Sequence, residues 1–388
     1  MASLPSRKDC CAHRTELDAA CLAGVANHIF AKMEVDVRIA QLATNIERVP
    51  PSGYGGTELI VSLLTEELCK RGHDVTLFAT GDSKTSAKLV SVADHPLRKE
   101  VFTSPGRWQA FDIRLLMKLE EMQNQFDLIH SHMGWQALPM LEQLKCPTVT
   151  TNHNPIKKYC ADIYLRYREM PFVAISKAYK SFNYEDILNY VGVVYNGINC
   201  DEYEAEIPQK RDYLLFLGRV GRDKGTAHAM DIAHKLGLPL KIAGKVDTSD
   251  REYFESEVEP RLEKYPGMEF IGEADLELKR QLYKNAIAVV YPIAFEEPFG
   301  LVMAEALASG TPVMALDRGA VREIVSDGET GIVASSVEEL ISRFPEIQRI
   351  KPEVCKSRVR SLFDVKQMTD GYEQVYNSVR SGAKVGGR

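Results

Sequence analysis

Apolar residues along this chain come in short blocks, separated by longer stretches where apolar positions recur every three or four residues. In the first half the blocks are residues 37–43 (VRIAQLA), 74–80 (DVTLFAT), 127–132 (DLIHSH), 147–153 (PTVTTNH) and 171–176 (PFVAIS). A glycine-bearing loop follows the first block, and a helical pattern runs over residues 57–71. Short β-rich runs alternating with helical stretches predict βα units and a parallel sheet. Such strands are largely apolar because helices cover both faces of the sheet.

The rhythm breaks at residues 196–211, where the turn signal Asn196-Gly197 leads into a polar, proline-bearing stretch. It then restarts. Strands are expected at 213–217, 240–243, 268–271, 288–291 and 312–316, and helices at 224–236, 252–261 and 301–309. Two α/β units of comparable size are thus expected to face each other across a hinge. A last helix, 365–379, is placed to fold back onto the first unit. The expected divisions are a leader at 1–32, a first doubly wound domain at 33–207, a second at 208–362, and a crossing helix with tail at 363–388.

The leader has no strand-like run and no apolar h-region of a secretory signal. A mobile extension, a true start at Met33 and a weak targeting segment stay open, with Glu16 and Asp18 counting against the last.

Composition narrows the function classes. Of 388 residues, 48 are basic and 54 acidic, a net charge of −6, which argues against broad neutralisation of nucleic-acid phosphates. A 45% hydrophobic and 26% charged chain is an ordinary globular one. The longest apolar stretch, 286–295, is about half of the ~20 residues a membrane span needs. The eight cysteines form no C-x-x-C pair, so free thiols and a cytoplasmic location are expected. Cys10, Cys11, Cys21 and His13 fit no zinc spacing.

Ligands of open parallel sheets sit at strand carboxyl ends. Gly53-Tyr54-Gly55-Gly56-Thr57-Glu58 follows the first strand and opens a helix, so its amides suit an anion. The bland alternative is a flexible connection with Thr57 as N-cap. His130 and His132 share one strand face, and His153 ends the next strand. No acidic partner at metal spacing and no D-x-D accompany them, so contact with substrate is favoured and no metal is expected. Gly218-Arg219 and Lys224-Gly225 put two cations at one sheet edge, suited to phosphate oxygens.

The segment 295–308 (FEEPFGLVMAEALA) is the richest. The amides at Phe299-Gly300-Leu301 are unpaired by helix geometry. Glu297 and Glu305 lie eight residues apart, about 12 Å along a helix. Hydrolytic carboxylate pairs sit roughly 5–9.5 Å apart, so two contacts on an extended ligand fit better. The alternative is a capping Glu297 and a buried, paired Glu305.

The E-x7-E segment from Glu297 to Glu305, with G-R-x4-K-G, H-x-H and the Gly-Gly loop before it, resembles the GT-B retaining glycosyltransferases of family 4. The resemblance spans roughly residues 37–340 and implies two Rossmann-like domains, the first on the acceptor side and the second holding a nucleotide-diphosphate sugar. It places Gly56 at the donor phosphate, His132 by the transferred sugar, and Arg219 and Lys224 on the diphosphate. Glu297 would hold sugar hydroxyls, and Phe299, Gly300 and Leu301 would offer amides. Glu305 would bind the ribose, with the base against Gly272-Glu273-Ala274. Tyr54 and His153 are expected on the acceptor side. No cofactor is implied beyond the nucleotide sugar as co-substrate, with an unidentified acceptor as partner. A sugar phosphorylase, a nucleotide-sugar epimerase and a non-catalytic nucleotide-sugar binder are the alternatives. The loop at 154–168, rich in Lys, Arg and Tyr, reads first as a solvated face, then as an acidic-acceptor site or a peripheral membrane patch.

Overall fold

The computed structural model describes residues 36–382 except Tyr54, Pro105 and Ala205. The expectations for residues 1–32, Met33 and Tyr54 lie outside the described residues.

Two wholly parallel sheets make up the described chain. The first contains β1 (Arg38–Leu42), β2 (Asp74–Phe78), β3 (Lys88–Val90), β4 (Leu128–Ser131), β5 (Thr148–Asn152), β6 (Phe172–Ala174) and β7 (Tyr190–Val193), in the order β3-β2-β1-β4-β5-β6-β7. The second contains β8 (Tyr213–Leu217), β9 (Leu240–Ala243), β10 (Met268–Gly272), β11 (Ala286–Tyr291), β12 (Val313–Leu316) and β13 (Gly331–Ala334), in the order β10-β9-β8-β11-β12-β13. Strand order therefore reverses between β1 and β4 and again between β8 and β11. Those two positions open the crevices where ligands of doubly wound folds bind.

Helices cover both faces, so the central strands β4, β6 and β8 are buried along their whole length. The edge strands β3, β7 and β13 were not anticipated. Each has only three or four residues, too few to show a period.

Helix α1 (Gly56–Lys70) buries Ile60, Leu64 and Leu68, spaced by four on one face. Its N-cap is Gly55, not the Thr57 of the bland alternative, and no side chain caps it. A Cβ on Gly55 would lie 2.7 Å from Pro51 Cβ, so only glycine fits where the loop doubles back. Other helices near the site are α2 (Lys177–Phe182), α3 (Thr226–Leu236), α4 (Leu276–Asn285), α5 (Leu301–Ala308) and α6 (Val365–Arg380). Helix α3 begins two residues later than expected, with Gly225 as N-cap, which leaves Lys224 in the preceding turn.

The last helix packs on the first sheet, with Gln41 Nε2 of β1 donating to Tyr376 Oη at 3.0 Å. Asp364 caps it by accepting from Lys366 N. Met368, Tyr372 and Tyr376 form its buried stripe. Arg71, just past α1, holds Asp370 at 2.6 Å and Glu373 at 3.0 Å, and His73 Nε2 lies 3.2 Å from Glu373. Full burial of a large apolar side chain stabilises by about 1.5–3 kcal/mol, so this stripe is a main tie between the helix and the first sheet. Ile198 N bonds Phe363 O and Val365 N bonds Ile198 O, both at 2.8 Å, which joins the returning chain to the expected hinge.

Among the described residues the five cysteines are free thiols, four of them buried. No described helix is long and apolar enough to cross a membrane.

Candidate functional site

The carboxyl ends of β1, β4 and β5 and of β8, β10 and β11 supply most of the predicted residues. The glycine loop after β1 reaches the second half of the molecule. A Cβ on Gly53 would sit 3.3 Å from Glu273 Oε2, and one on Gly56 would sit 3.6 Å from Leu301 Cδ1. The structure thus brings the Gly-Gly loop, the start of α5 and the Gly272-Glu273-Ala274 stretch to one cleft. Gly300 caps α5 at φ 96°, a left-handed conformation that a side chain disfavours. A Cβ there would also meet Met303 Cε at 2.3 Å. This turn leaves the first amides of α5 without intrahelical partners.

The three histidines form one cluster. His130 and His132 have ring centroids 4.0 Å apart, and His132 and His153 stack at 5.2 Å. His132 is buried and both its nitrogens are engaged, Nδ1 with His153 Nε2 at 2.9 Å and Nε2 with Gln41 Oε1 at 2.8 Å. His130 bonds Tyr376 Oη and Thr151 Oγ1, each at 2.8 Å. Burial holds His130 and His132 well below the usual imidazole range, and it lowers His153 to about 4. All three rings are therefore neutral near pH 7.

The opposite wall is ionic. Arg219, just after β8, is clasped by Asp223 and Asp250. Lys224 lies 3.3 Å from Glu297 Oε2, with its ammonium 4.4 Å from the Phe295 ring centroid. Tyr291 Oη donates to the same Glu297 oxygen at 2.6 Å. Glu297 is buried, whereas Glu296 points outward to the Gly319 amide at 2.6 Å. Arg222, by contrast, is exposed, with its guanidinium over Tyr253.

Glu305 is buried deeper still. Lys279 Nζ donates to its Oε1 and Tyr283 Oη to its Oε2, both at 2.7 Å. Both partners come from α4, where they are one helical turn apart. Such pairing offsets the cost of burying a carboxylate among Met303, Ala304 and Ala306.

Several participants were not singled out in the sequence. Tyr291 ends β11, so the strand-end rule could have found it. Gln41 is a lone amide in an apolar strand, a visible signal. Glu323 carried none: its carboxylate accepts Lys177 N at 2.9 Å, Ala178 N at 2.7 Å and Tyr195 Oη at 2.8 Å, and so caps α2. Ser176 Oγ donates to Pro298 O at 2.6 Å, tying the end of the first sheet to the loop before α5. Glu58, in the first turn of α1, accepts from Thr44 at 3.3 Å, and burial pushes its carboxyl above the usual range. Among the described residues, no cluster of His, Cys, Asp and Glu is arranged to hold a metal ion.

Residues 54–202 match the family model described as Glycosyltransferase Family 4, and residues 201–347 match that described as Glycosyl transferases group 1. An uncharacterized glycosyltransferase of Methanocaldococcus jannaschii is 25% identical over 327 residues, 73% of this chain and 82% of that protein. The sucrose-phosphate synthase of Thermosynechococcus elongatus superposes with a TM-score of 0.73 at 19% identity, covering 89% of this chain and all of the other. HepE of Anabaena, solved with UDP and glucose, gives 0.67 at 17% identity over 88% of this chain and all of the other. None of these similarities favours a phosphorylase, an epimerase or a non-catalytic binder. Two parallel sheets that meet at one cleft, with both halves of the chain matched, identify a member of the group 1 glycosyl transferases with the GT-B fold.

Proposed function

We propose that this glycosyltransferase moves a sugar from a nucleotide-diphosphate sugar to an acceptor hydroxyl, with retention at the anomeric carbon and without a metal or other cofactor. The observation that carries the reading is the juxtaposition of Lys224, Glu297 and the capped start of α5 in the cleft faced by Gly53 and Gly56.

Charge builds on the diphosphate as the sugar leaves. Cations and oriented amides already in place stabilise that charge without reorganising, and so lower the barrier selectively. In this reading Lys224 and Arg219 supply the cations, and Phe299, Gly300 and Leu301 supply amides at the positive end of α5. These groups take the part a divalent ion plays in metal-dependent transferases. Glu297 uses Oε2 for Lys224 and Tyr291, while Oε1 has no partner among the described residues and serves a sugar hydroxyl. Glu305 lies eight residues on, behind the diphosphate amides, and Lys279 and Tyr283 orient it toward the nucleotide's ribose. The base rests on Gly272-Glu273-Ala274. Gly56 admits the phosphate, and His132 and His153 border the sugar and acceptor. No carboxylate is singled out as a covalent nucleophile. Retention therefore follows from attack on the leaving-group side, with the departing phosphate taking the acceptor proton.

The deciding experiment is a panel of UDP, GDP and ADP sugars, read by slow donor hydrolysis and thermal stabilisation in the presence of EDTA. One class should stabilise the protein and be hydrolysed, and the product anomer by NMR should match the donor. Stabilisation by none of them, or activity abolished by EDTA, would overturn the reading.

A further inference from the structure

Helix α2 opens with the amides of Lys177, Ala178 and Tyr179, which no carbonyl of the helix itself can pair. One of them is satisfied locally, with Tyr179 N donating to Ser176 Oγ at 2.8 Å. The other two are satisfied from the second half of the chain. Lys177 N donates to Glu323 Oε2 at 2.9 Å, and Ala178 N donates to Glu323 Oε1 at 2.7 Å. Tyr195 Oη, just after β7, donates to the same Oε2 at 2.8 Å. Both carboxylate oxygens thus accept from the first half of the molecule, in charge-assisted bonds whose donors and acceptor are fixed by their chemistry.

Glu323 lies on a short helix, Val321–Ile324, whose entry also holds the loop before α5. Ala320 N donates to Glu297 O at 2.9 Å, and Gly319 N donates to Glu296 Oε2 at 2.6 Å. Arg358 fixes the other end of this helix, donating to Glu323 O and Ile324 O, each at 2.7 Å. The next loop residue, Pro298, accepts from Ser176 Oγ at 2.6 Å. One hydroxyl therefore gives its proton to the second half and a lone pair to α2.

The halves also share an apolar cluster, with Ile175 and Tyr179 from the first and Phe299 and Met303 from the second. Apolar contact is non-directional and permits sliding, whereas a hydrogen bond holds only within a narrow range of distance and angle. The bonds of Glu323 and Ser176 therefore set where the end of the first sheet stands against residues 296–299. That end carries one wall of the cleft, because β6 leads into α2 and pairs with β5, the strand just before His153.

We propose that Glu323 is a positioning residue for the transfer step, with Ser176 as its partner: by capping α2 from across the molecule, it keeps the histidine wall in register with the loop before α5. The effect on transfer rests on the transferase reading given above; the register itself does not. Donor binding is expected to survive the loss of Glu323. Lys224, Glu297 and the amides of α5 all belong to the second half, and the Ala320 and Gly319 bonds stay in place. Turnover is expected to suffer, because a displacement of about 1 Å between reacting groups costs up to about 10²-fold.

The register is tested on the free full-length protein by single-molecule energy transfer. The dyes are carried by unnatural amino acids at Glu142 and Glu263, two exposed positions in different halves. Wild type should give one narrow population, and Glu323→Ala a broadened or shifted one. Coincident distributions for wild type and a folded Glu323→Ala protein overturn the proposal. Ser176→Ala, which removes only the Pro298 bond and the Tyr179 cap, should broaden the distribution as well. If Glu323→Ala does not fold, Ser176→Ala decides by the same criterion.

The effect on transfer is tested with the donor returned by the nucleotide-sugar panel. In Glu323→Ala the kcat of donor hydrolysis should fall about 10- to 100-fold, while the donor Kd by calorimetry stays within about twofold. A general loss of structure would weaken both together. Combining Glu323→Ala with Ser176→Ala should cost less than the product of the single losses, because both act through one register. An unchanged kcat, a Kd that weakens as much as kcat falls, or fully multiplicative losses overturn the positioning role. If the panel returns no donor, the transferase reading fails while the energy-transfer result still decides the register.

Discussion

The two walls of the cleft hold their polar groups by opposite means. The wall from the first sheet is neutral, with two buried imidazoles and a half-buried third kept uncharged by desolvation and joined through an amide, a phenol and a hydroxyl. The wall from the second sheet is ionic, with Arg219 between two aspartates, Lys224 on Glu297 and Lys279 on Glu305. On the proposed reading, charge is concentrated where the diphosphate would leave and absent where an uncharged hydroxyl would approach. A second cationic cluster on the histidine side would attract the leaving group to the wrong wall.

The comparison is broken most severely at Lys224. On the proposed reading Lys224→Ala removes a charge facing the leaving group, and it leaves Glu297 with Tyr291 alone. Turnover is expected to fall about 10²–10³-fold, the usual loss for one preorganised donor, as read by steady-state kinetics. Donor binding unchanged by calorimetry would remove Lys224 from the diphosphate site.

The two glutamates separate next. Glu297→Ala should lower turnover more than donor affinity, because a sugar contact matters most in the transition state. Glu305→Ala should do the reverse, weakening nucleotide affinity in calorimetry. It should also reduce stability in urea by about 2–3 kcal/mol, because half-buried Lys279 loses its counter-charge. The opposite pattern would exchange the two roles.

Gly300→Ala tests whether the N-terminus of α5 needs its left-handed cap. A cost of about 1–2 kcal/mol is expected from the backbone alone, with weaker donor binding as the amides shift. Equal stability and affinity would show that the turn tolerates a side chain.

A pH-dependent effect sharpens the neutral wall. A histidine with a depressed folded pKa binds its proton more readily when unfolded. Its stabilisation is full above the unfolded pKa of about 6.5 and is lost as pH falls toward the folded value of about 4. His153→Gln should flatten the stability profile between pH 6.5 and 4 by up to about 1.4 kcal/mol per pH unit, measured by urea unfolding. An unchanged slope would mean that the folded pKa of His153 is not depressed.

Much of the fold was legible because central parallel strands are continuous apolar runs. β1, β4, β5, β8 and β12 fell within the expected windows to within a residue or two. The edge strands were missed because three or four residues carry no period. Lys224 and Glu297 stood out because they follow strand ends, where a doubly wound sheet exposes its ligands. Glu297 was singled out over its neighbour Glu296 by the eight-residue spacing to Glu305, and the structure turns Glu297 inward and Glu296 outward. Asp250 and Glu323 gave no signal, because their partners lie 31 and about 145 residues away.

Local order in the chain was enough to determine the α/β class, the two-unit layout, the crossing helix and the loops that carry the charged side chains. Those features depend on periodicity, turn chemistry and strand-end position, all of which are local. Only the tertiary structure decided which charges are compensated and which histidines stay neutral. A proton or a charge is stabilised by atoms within a few ångströms, and here those atoms come from strands and helices far apart in the chain.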